Sequence, residues 1–131
     1  MIEELITLET AKLLKSAGFK DDVRIFYESV GTEGGFELFE SYKSQNYNAK
    51  VSSFSATTLF IAQKWLRETK NLHISIIRNA CGYGYDICKA DNGTHITDGI
   101  FDGPNDGGQW DTYEEALEVG IQEALKLVEE E

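Results

Sequence analysis

The stretch that decides the fold is the last long one, Trp110-Asp-Thr-Tyr-Glu-Glu-Ala-Leu-Glu-Val-Gly-Ile-Gln-Glu-Ala-Leu-Lys-Leu-Val128. Its apolar residues recur at steps of three and four, which places them on one side of an α-helix that must face a core. They are Tyr113, Ala116, Leu117, Gly120, Ile121, Ala124, Leu125 and Val128. Thr112 followed by Glu115 forms a capping box, so the helix is predicted to begin there. Gly120 costs about 1 kcal/mol relative to alanine inside a helix, and another element is therefore expected to pack closely against it.

Two more helices and five strands are predicted ahead of this helix. The first helix is capped by Thr7 and ends at Gly18 with a Schellman motif. The second is capped by Ser55 or Thr57 and stops near Asn71. Alternation and β-branched or aromatic content predict strands over residues 23–30, 36–42, 72–77, 83–89 and 94–101.

The order of these elements predicts one α+β domain over residues 1–131. Its parts are an N-terminal hairpin, a C-terminal three-stranded antiparallel meander and three helices packed on them. Residues 43–55 and 102–109 are predicted as loops, the second flexible and rich in glycine and aspartate.

Size and composition favour a compact, soluble protein. The chain has 131 residues, enough for one sizeable core. No run approaches eighteen apolar residues, and the N-terminus is acidic where a signal peptide is basic. We therefore expect a cytoplasmic protein that does not contact membranes. Two cysteines, Cys81 and Cys88, are too few for a disulfide framework and are interpreted as reduced thiols.

Charge is spread unevenly along the chain. Residues 1–50 hold nine acidic and six basic residues, residues 51–90 two and five, and residues 91–131 twelve and one. A net charge of −11 argues against direct binding of nucleic acid or anionic membrane, which needs clustered lysine and arginine. The one basic district comprises Lys64, Arg67, Lys70, Arg78 and Lys89.

Three segments resemble recurring segments of a family of small uncharacterised proteins from gut bacteria and their phages. They are residues 6–19, 62–76 and 111–125, together about a third of the chain. The likeness is one of whole segments, and no catalytic motif takes part in it. The resemblance implies no activity, because the family has none assigned; it implies a cytoplasmic accessory protein encoded on a mobile element.

Two groups of residues have side chains of metal-ligand type. His73, Cys81, Cys88 and His95 are zinc-ligand types, but structural zinc sites use two tight pairs and neither pair is present. A second set, Asp91, Asp98, Asp102 and Asp106, suggests calcium. An EF-hand aligned on Asp102 fails at its third and twelfth positions. No metal and no cofactor are therefore expected.

A catalytic cysteine is the third chemical hypothesis. Cys81 lies in a predicted turn, with His73 or His95 as the base and Asp86 or Asp98 to orient it. No family-type motif surrounds Cys81, so an enzyme that uses it is an alternative and not the leading hypothesis.

The leading hypothesis is a non-enzymatic module that binds another protein. Its candidate binding residues are Lys64 and Arg67 on the second helix and the amphipathic aromatics Tyr83, Tyr85 and Trp110. The runner-up is an acidic protein that mimics nucleic-acid charge and inhibits a host DNA-binding protein, suggested by residues 91–131. The sequence carries no signal for the oligomeric state.

Overall fold

The computed structural model describes residues 4–31 and 34–129, where it contains three helices and two three-stranded antiparallel sheets. The predicted α+β class is confirmed. The elements are α1 (Leu8–Ser16), β1 (Val23–Val30), β2 (Gly35–Gln45), β3 (Ser53–Ala56), α2 (Leu59–Thr69), β4 (Leu72–Asn79), β5 (Gly82–Lys89), β6 (His95–Gly99) and α3 (Tyr113–Glu129). A short 3₁₀ helix, Tyr47–Ala49, lies between β2 and β3.

The ends of α1 form as its sequence predicts. The hydroxyl of Thr7 accepts from the backbone N–H of Thr10 at 3.4 Å. Gly18 has a φ of +99°, in the left-handed region that favours glycine. The N–H of Phe19 reaches the carbonyl of Leu14 at 3.2 Å, which completes the Schellman motif.

The start and the apolar side of α3 also follow the prediction, with two differences. Glu115 donates its backbone N–H to Thr112 Oγ1 at 3.1 Å, but its carboxylate accepts from the Thr112 hydroxyl where the capping box predicted the Thr112 backbone N–H. Gly120 faces β4, and a Cβ there would lie 3.0 Å from Ile74 Cγ2. The close packing predicted at Gly120 is thus present. Tyr113, placed on the apolar side from its spacing, is exposed.

The first sheet has the strand order β2-β1-β3. The predicted hairpin corresponds to β1 and β2, but the loop predicted over residues 43–55 is wrong at both ends. Strand β2 continues to Gln45, and β3 pairs with β1 through Ser53–Ala56. Strand β3 lacks the usual alternation of apolar and polar residues, because two of its fully buried positions are occupied by serines, Ser53 and Ser55.

Helix α2 begins later than predicted. Ser55 lies in β3, and the carbonyl of Thr57 accepts from the N–H of Ile6 at 2.9 Å, so neither residue caps the helix. Thr58 is the N-cap, and its hydroxyl accepts from the N–H of Ile61 at 3.2 Å. Ser55 cannot cap the helix because it belongs to the strand formed by residues 53–56.

The second sheet has its strands in chain order, β4-β5-β6, as the predicted meander requires. Its inner face carries Ile74, Tyr85 and Ile87, all buried, and α3 packs against β4 and β5. The last strand is shorter than predicted, since it ends at Gly99. A β-bulge interrupts its pairing with β5 between Ile87 and Cys88.

A single cluster of buried apolar residues joins all three helices to the second sheet. Its largest fully buried side chains are those of Phe19, Ile6, Leu14, Leu66, Ile74, Ile87, Ile121 and Leu125. Within the described part of the chain, no helix combines the length and apolar character needed to cross a membrane.

Candidate functional site

The outward side of α2 presents large apolar side chains to solvent. Leu59, Ala62 and Leu66 fill the buried side of the helix. Phe60 is 63% exposed and Ile61 is 45% exposed, although both lie in the first turn. Apolar side chains of this size usually enter a core, and adjacent exposed ones indicate a contact surface.

Basic side chains share this side of the helix. Phe60, Lys64 and Arg67 are spaced by four and three residues, so they lie along one stripe. Lys64 is exposed, and its ammonium lies 4.0 Å from the Glu68 carboxylate, at the limit of an ion pair. An exposed pair of this kind contributes little to stability, which leaves the ammonium free to contact a partner. We call Phe60, Ile61, Lys64 and Arg67 the α2 outer face.

A groove of about 460 Å³ adjoins the α2 outer face at Ile61. Its apolar lining comes from Leu5, Phe19, Val23, Ile25 and Ala56, and its polar rim includes Asp21, Asp22, Arg24 and Glu40. The groove and the two exposed side chains of α2 form one continuous surface because Ile61 belongs to both. A partner side chain that enters the groove would therefore also touch the helix.

A second groove, of about 370 Å³, lies where α3 begins and is strongly acidic. Four carboxylates line it, from Glu4, Glu114, Glu115 and Glu118, around the apolar residues Leu5, Leu59, Pro104, Trp110 and Val119. We call it the acidic groove.

Glu118 has a structural role within the acidic groove. One of its carboxylate oxygens accepts from the backbone N–H of Thr7 at 2.7 Å, which joins the start of α1 to α3. Burial, and then the nearby Glu118 carboxylate, raise the pKa of Tyr27, whose hydroxyl donates to the Ile6 carbonyl at 2.8 Å. Glu4 and Glu114 are exposed on the rim, where they are available to a basic partner.

The five predicted binding residues do not form one surface. Lys64 and Arg67 lie on the α2 outer face as expected. Tyr85 and Trp110 are only 5% and 7% exposed, with ring centroids 5.7 Å apart, so their assignment to an exposed contact surface was wrong. Burial, followed by the carboxylates of Glu123, Asp102 and Asp98, raises the pKa of Tyr85 to about 12.

Tyr83 is half-buried and already has partners within the chain. The guanidinium of Arg78 lies 4.7 Å from its ring centroid, and the ring of Tyr113 packs edge-on at 6.2 Å. Its backbone exchanges two hydrogen bonds with Trp110, of 2.8 and 3.0 Å. Tyr83 and Trp110 therefore make their contacts within the chain. They join β5 to the segment that leads into α3.

The Cys81–histidine dyad does not form. Cys81 lies in the turn between β4 and β5, whereas His73 and His95 both pair with Cys88 at the other end of β5. Seven residues of extended strand separate the two ends, a distance of about 23 Å. The neighbours of Cys81 are instead Gly107 and Asn105, whose side-chain amide donates to the Cys81 carbonyl at 2.8 Å. Nucleophilic catalysis by this pair requires contact that the sheet prevents.

The proposed calcium ligands are dispersed, and the loop that carries two of them is ordered by an amide. Asn105 Oδ1 accepts from the N–H groups of Gly107 and Gln109 at 3.0 and 2.8 Å. Asp98 belongs to a different group, with Asp86 and His95, which is the one potential metal-ligand cluster in residues 4–31 and 34–129. The loop expected to be flexible is therefore organised by its own hydrogen bonds.

Sequence reasoning missed Phe60. The helical spacing of Phe60 to Lys64 and Arg67 was a usable signal for it. Sequence reasoning placed His95 beside Asp86 or Asp98 only as parts of a Cys81 catalytic site, whereas the structure brings His95 to both carboxylates, at 3.0 and 3.2 Å, without Cys81. The meeting of all three side chains depends on strand register, and the β-bulge that produces it had no signal in the sequence. Comparison of the chain with protein-family models, with curated proteins and with solved structures gave no match, so its likeness to small proteins of gut bacteria and their phages remains a prediction.

Proposed function

We propose that the protein is a non-enzymatic module that binds another protein through the α2 outer face and the adjoining groove. The observation that carries this proposal is the exposure of the adjacent residues Phe60 and Ile61, of which Ile61 lines a groove with an apolar floor. Complete burial of such a side chain from full exposure supplies about 1.5–3 kcal/mol, and Phe60 and Ile61 can supply the share of this that corresponds to their exposed fractions, 63% and 45%. Contacts of this size, concentrated in a few aromatic and aliphatic residues, dominate the affinity of typical protein interfaces.

The charges on this surface define the partner. Lys64 and Arg67 lie on the stripe that carries Phe60, in the one basic district of the chain. A complementary partner presents an apolar side chain to the groove and a carboxylate to these two cations, with no acidic group facing Asp21, Asp22 and Glu40 on the groove rim. Charged pairs at the rim of an interface mainly determine specificity and the rate of association. The affinity is therefore assigned to Phe60 and Ile61, and the selection of an acidic partner to Lys64 and Arg67.

Capture from lysate with matched variants tests this proposal. Phe60→Ser and Ile61→Ser are each expected to lose the partner that the wild-type chain retains. Val51→Ser is the control, because Val51 is 96% exposed and lies outside the groove. If Val51→Ser reduced capture as much as Phe60→Ser, or if neither variant reduced it, the α2 outer face would not be the binding surface.

The acidic groove favours a second candidate function, inhibition of a DNA-binding protein by charge mimicry. Four glutamates line the groove around apolar residues; Glu115 and Glu118 already accept hydrogen bonds from Thr112 and Thr7, so Glu4 and Glu114 are the carboxylates offered to a basic protein segment with one apolar side chain. Such binding weakens steeply as salt shortens the Debye length from about 10 Å at 0.1 M to about 3 Å at 1 M. Duplex DNA should compete for the captured partner, and Glu114→Gln should weaken capture; salt-insensitive binding without competition would exclude this function.

A further inference from the structure

A β-bulge places three metal-ligand side chains together on the outer face of the second sheet. Residues three apart in a regular strand point to opposite faces, as His95 and Asp98 otherwise would. In β6, Thr97 pairs with Ile87 and His95 pairs with the next residue, Cys88, so one extra residue lies between them. The extra residue returns His95 to the face of Asp98. Bulges that redirect a side chain in this way are frequent beside functional sites.

The strand register adds a third ligand from the neighbouring strand. Asp86 on β5 lies directly opposite Asp98 on β6. Like charges in directly opposite positions destabilise a sheet, and here the two carboxylates are held on adjacent strands of a strongly acidic protein. A cation bound between them would remove this repulsion. Their exposed side faces away from α3, which packs on the other face.

The distances within this group suit a metal ion. His95 Nε2 lies 3.0 Å from Asp86 Oδ1 and 3.2 Å from Asp98 Oδ2, and the three potential ligand atoms all lie within 4.8 Å of one another. Zinc–nitrogen and zinc–oxygen bonds of about 2.0–2.1 Å in a tetrahedron hold neighbouring ligands about 3.3 Å apart. The side chains of Asp86, His95 and Asp98 are 28%, 57% and 41% exposed, so none is held by burial and each can rotate toward this geometry.

We propose that Asp86, His95 and Asp98 bind one divalent transition-metal ion of the zinc class. An imidazole nitrogen with two carboxylate oxygens suits zinc, manganese or iron better than magnesium or calcium, which prefer oxygen alone. Three protein ligands leave the remaining coordination positions to water. The site is independent of the α2 outer face, so each proposal stands or falls without the other.

Calorimetric titration of the EDTA-treated, dialysed chain with zinc chloride tests the site. We expect one ion per chain, with a higher melting temperature in zinc than in EDTA. The variants Asp86→Asn, Asp98→Asn and His95→Gln should each weaken zinc binding by roughly tenfold or more. Asp91→Asn, which changes an exposed carboxylate outside the group, should bind zinc like the wild type.

Two results would overturn the proposal. One is the absence of stoichiometric zinc binding by the wild-type chain. The other is binding that Asp98→Asn and Asp86→Asn leave unchanged while Cys88→Ser abolishes it, because the ion would then use the thiol and histidine row, His73, Cys88 and His95. Circular dichroism of every variant in EDTA separates loss of a ligand from loss of fold.

Discussion

The phenol of Tyr85 lies directly against Gly99, its partner across β5 and β6. A Cβ at position 99 would be 2.8 Å from the Tyr85 hydroxyl oxygen and would overlap the ring. Strand β6 therefore ends at a residue that must lack a side chain. Tyr85 is buried, and the carboxylates of Glu123, Asp102 and Asp98 act on its hydroxyl.

Gly99→Ala should destabilise the protein. The added methyl group must displace a buried ring, and overpacking of this kind costs about 1–3 kcal/mol. Urea denaturation measures the loss. Gly35→Ala is a matched control in β2, because a Cβ there would meet nothing closer than 4.0 Å. A Gly99→Ala variant as stable as Gly35→Ala would contradict the contact.

Stability should fall as the pH rises from about 10 to about 12. The pKa of Tyr85 is raised from 10.0 to about 12 in the folded chain, mainly because burial disfavours the phenolate. Below pH 10 the phenol is protonated in both states, whereas above it the unfolded chain ionises first, so unfolding is favoured. The full effect is about 2–3 kcal/mol at 1.36 kcal/mol per pKa unit.

Tyr85→Phe is the control for this pH dependence, since it retains the ring but has no ionisable group. Chemical denaturation at pH 9, 10, 11 and 12 should give a steeper decline for the wild type than for the variant. Parallel declines in the two proteins would show that Tyr85 ionises at its ordinary pKa in the folded state.

Asn105→Ala should destabilise the loop that leads into α3. The side chain of Asn105 accepts from two backbone N–H groups and donates to the Cys81 carbonyl. Water can replace the exposed bond to Cys81, whereas the part-buried N–H groups of Gly107 and Gln109 lose hydrogen bonds worth about 0.5–1.5 kcal/mol each. Asp106→Ala, at the exposed neighbouring position, should change the free energy of unfolding by no more than about 0.5 kcal/mol. If the two substitutions lowered the free energy of unfolding equally, the Asn105 side chain would not be what stabilises the loop.

Much of the helical architecture was predictable from local sequence. Thr7, Gly18 and Phe19 mark the two ends of α1, and the line through Gly120 identifies the side of α3 that meets the sheet. These signals act over a few residues, so they are visible without tertiary structure. Strand β3 was missed because Ser53 and Ser55 give no alternation, and their burial follows from contacts distant in sequence.

The candidate sites were less predictable because they depend on exposure and register. Helical spacing linked Phe60 to Lys64 and Arg67 and so indicated the outward side of α2, but how far Phe60 is exposed depends on tertiary structure. Tyr85 and Trp110 show the opposite error. Their amphipathic side chains suggested an interface, but both lie in the core. The bulge beside Cys88 adds a single residue to β6, and one residue is enough to move His95 to the other face.

Site-specific photo-crosslinking tests the central claim most directly. A benzophenone amino acid replaces Phe60 in one protein and Phe101, which is 81% exposed and outside both grooves, in another. Each is irradiated in native lysate, and the products are identified by mass spectrometry. We predict one protein crosslinked from position 60 and lost when Ile61→Ser is added, with no such product from position 101. The same product from both positions, or none from position 60, would contradict a binding surface on α2.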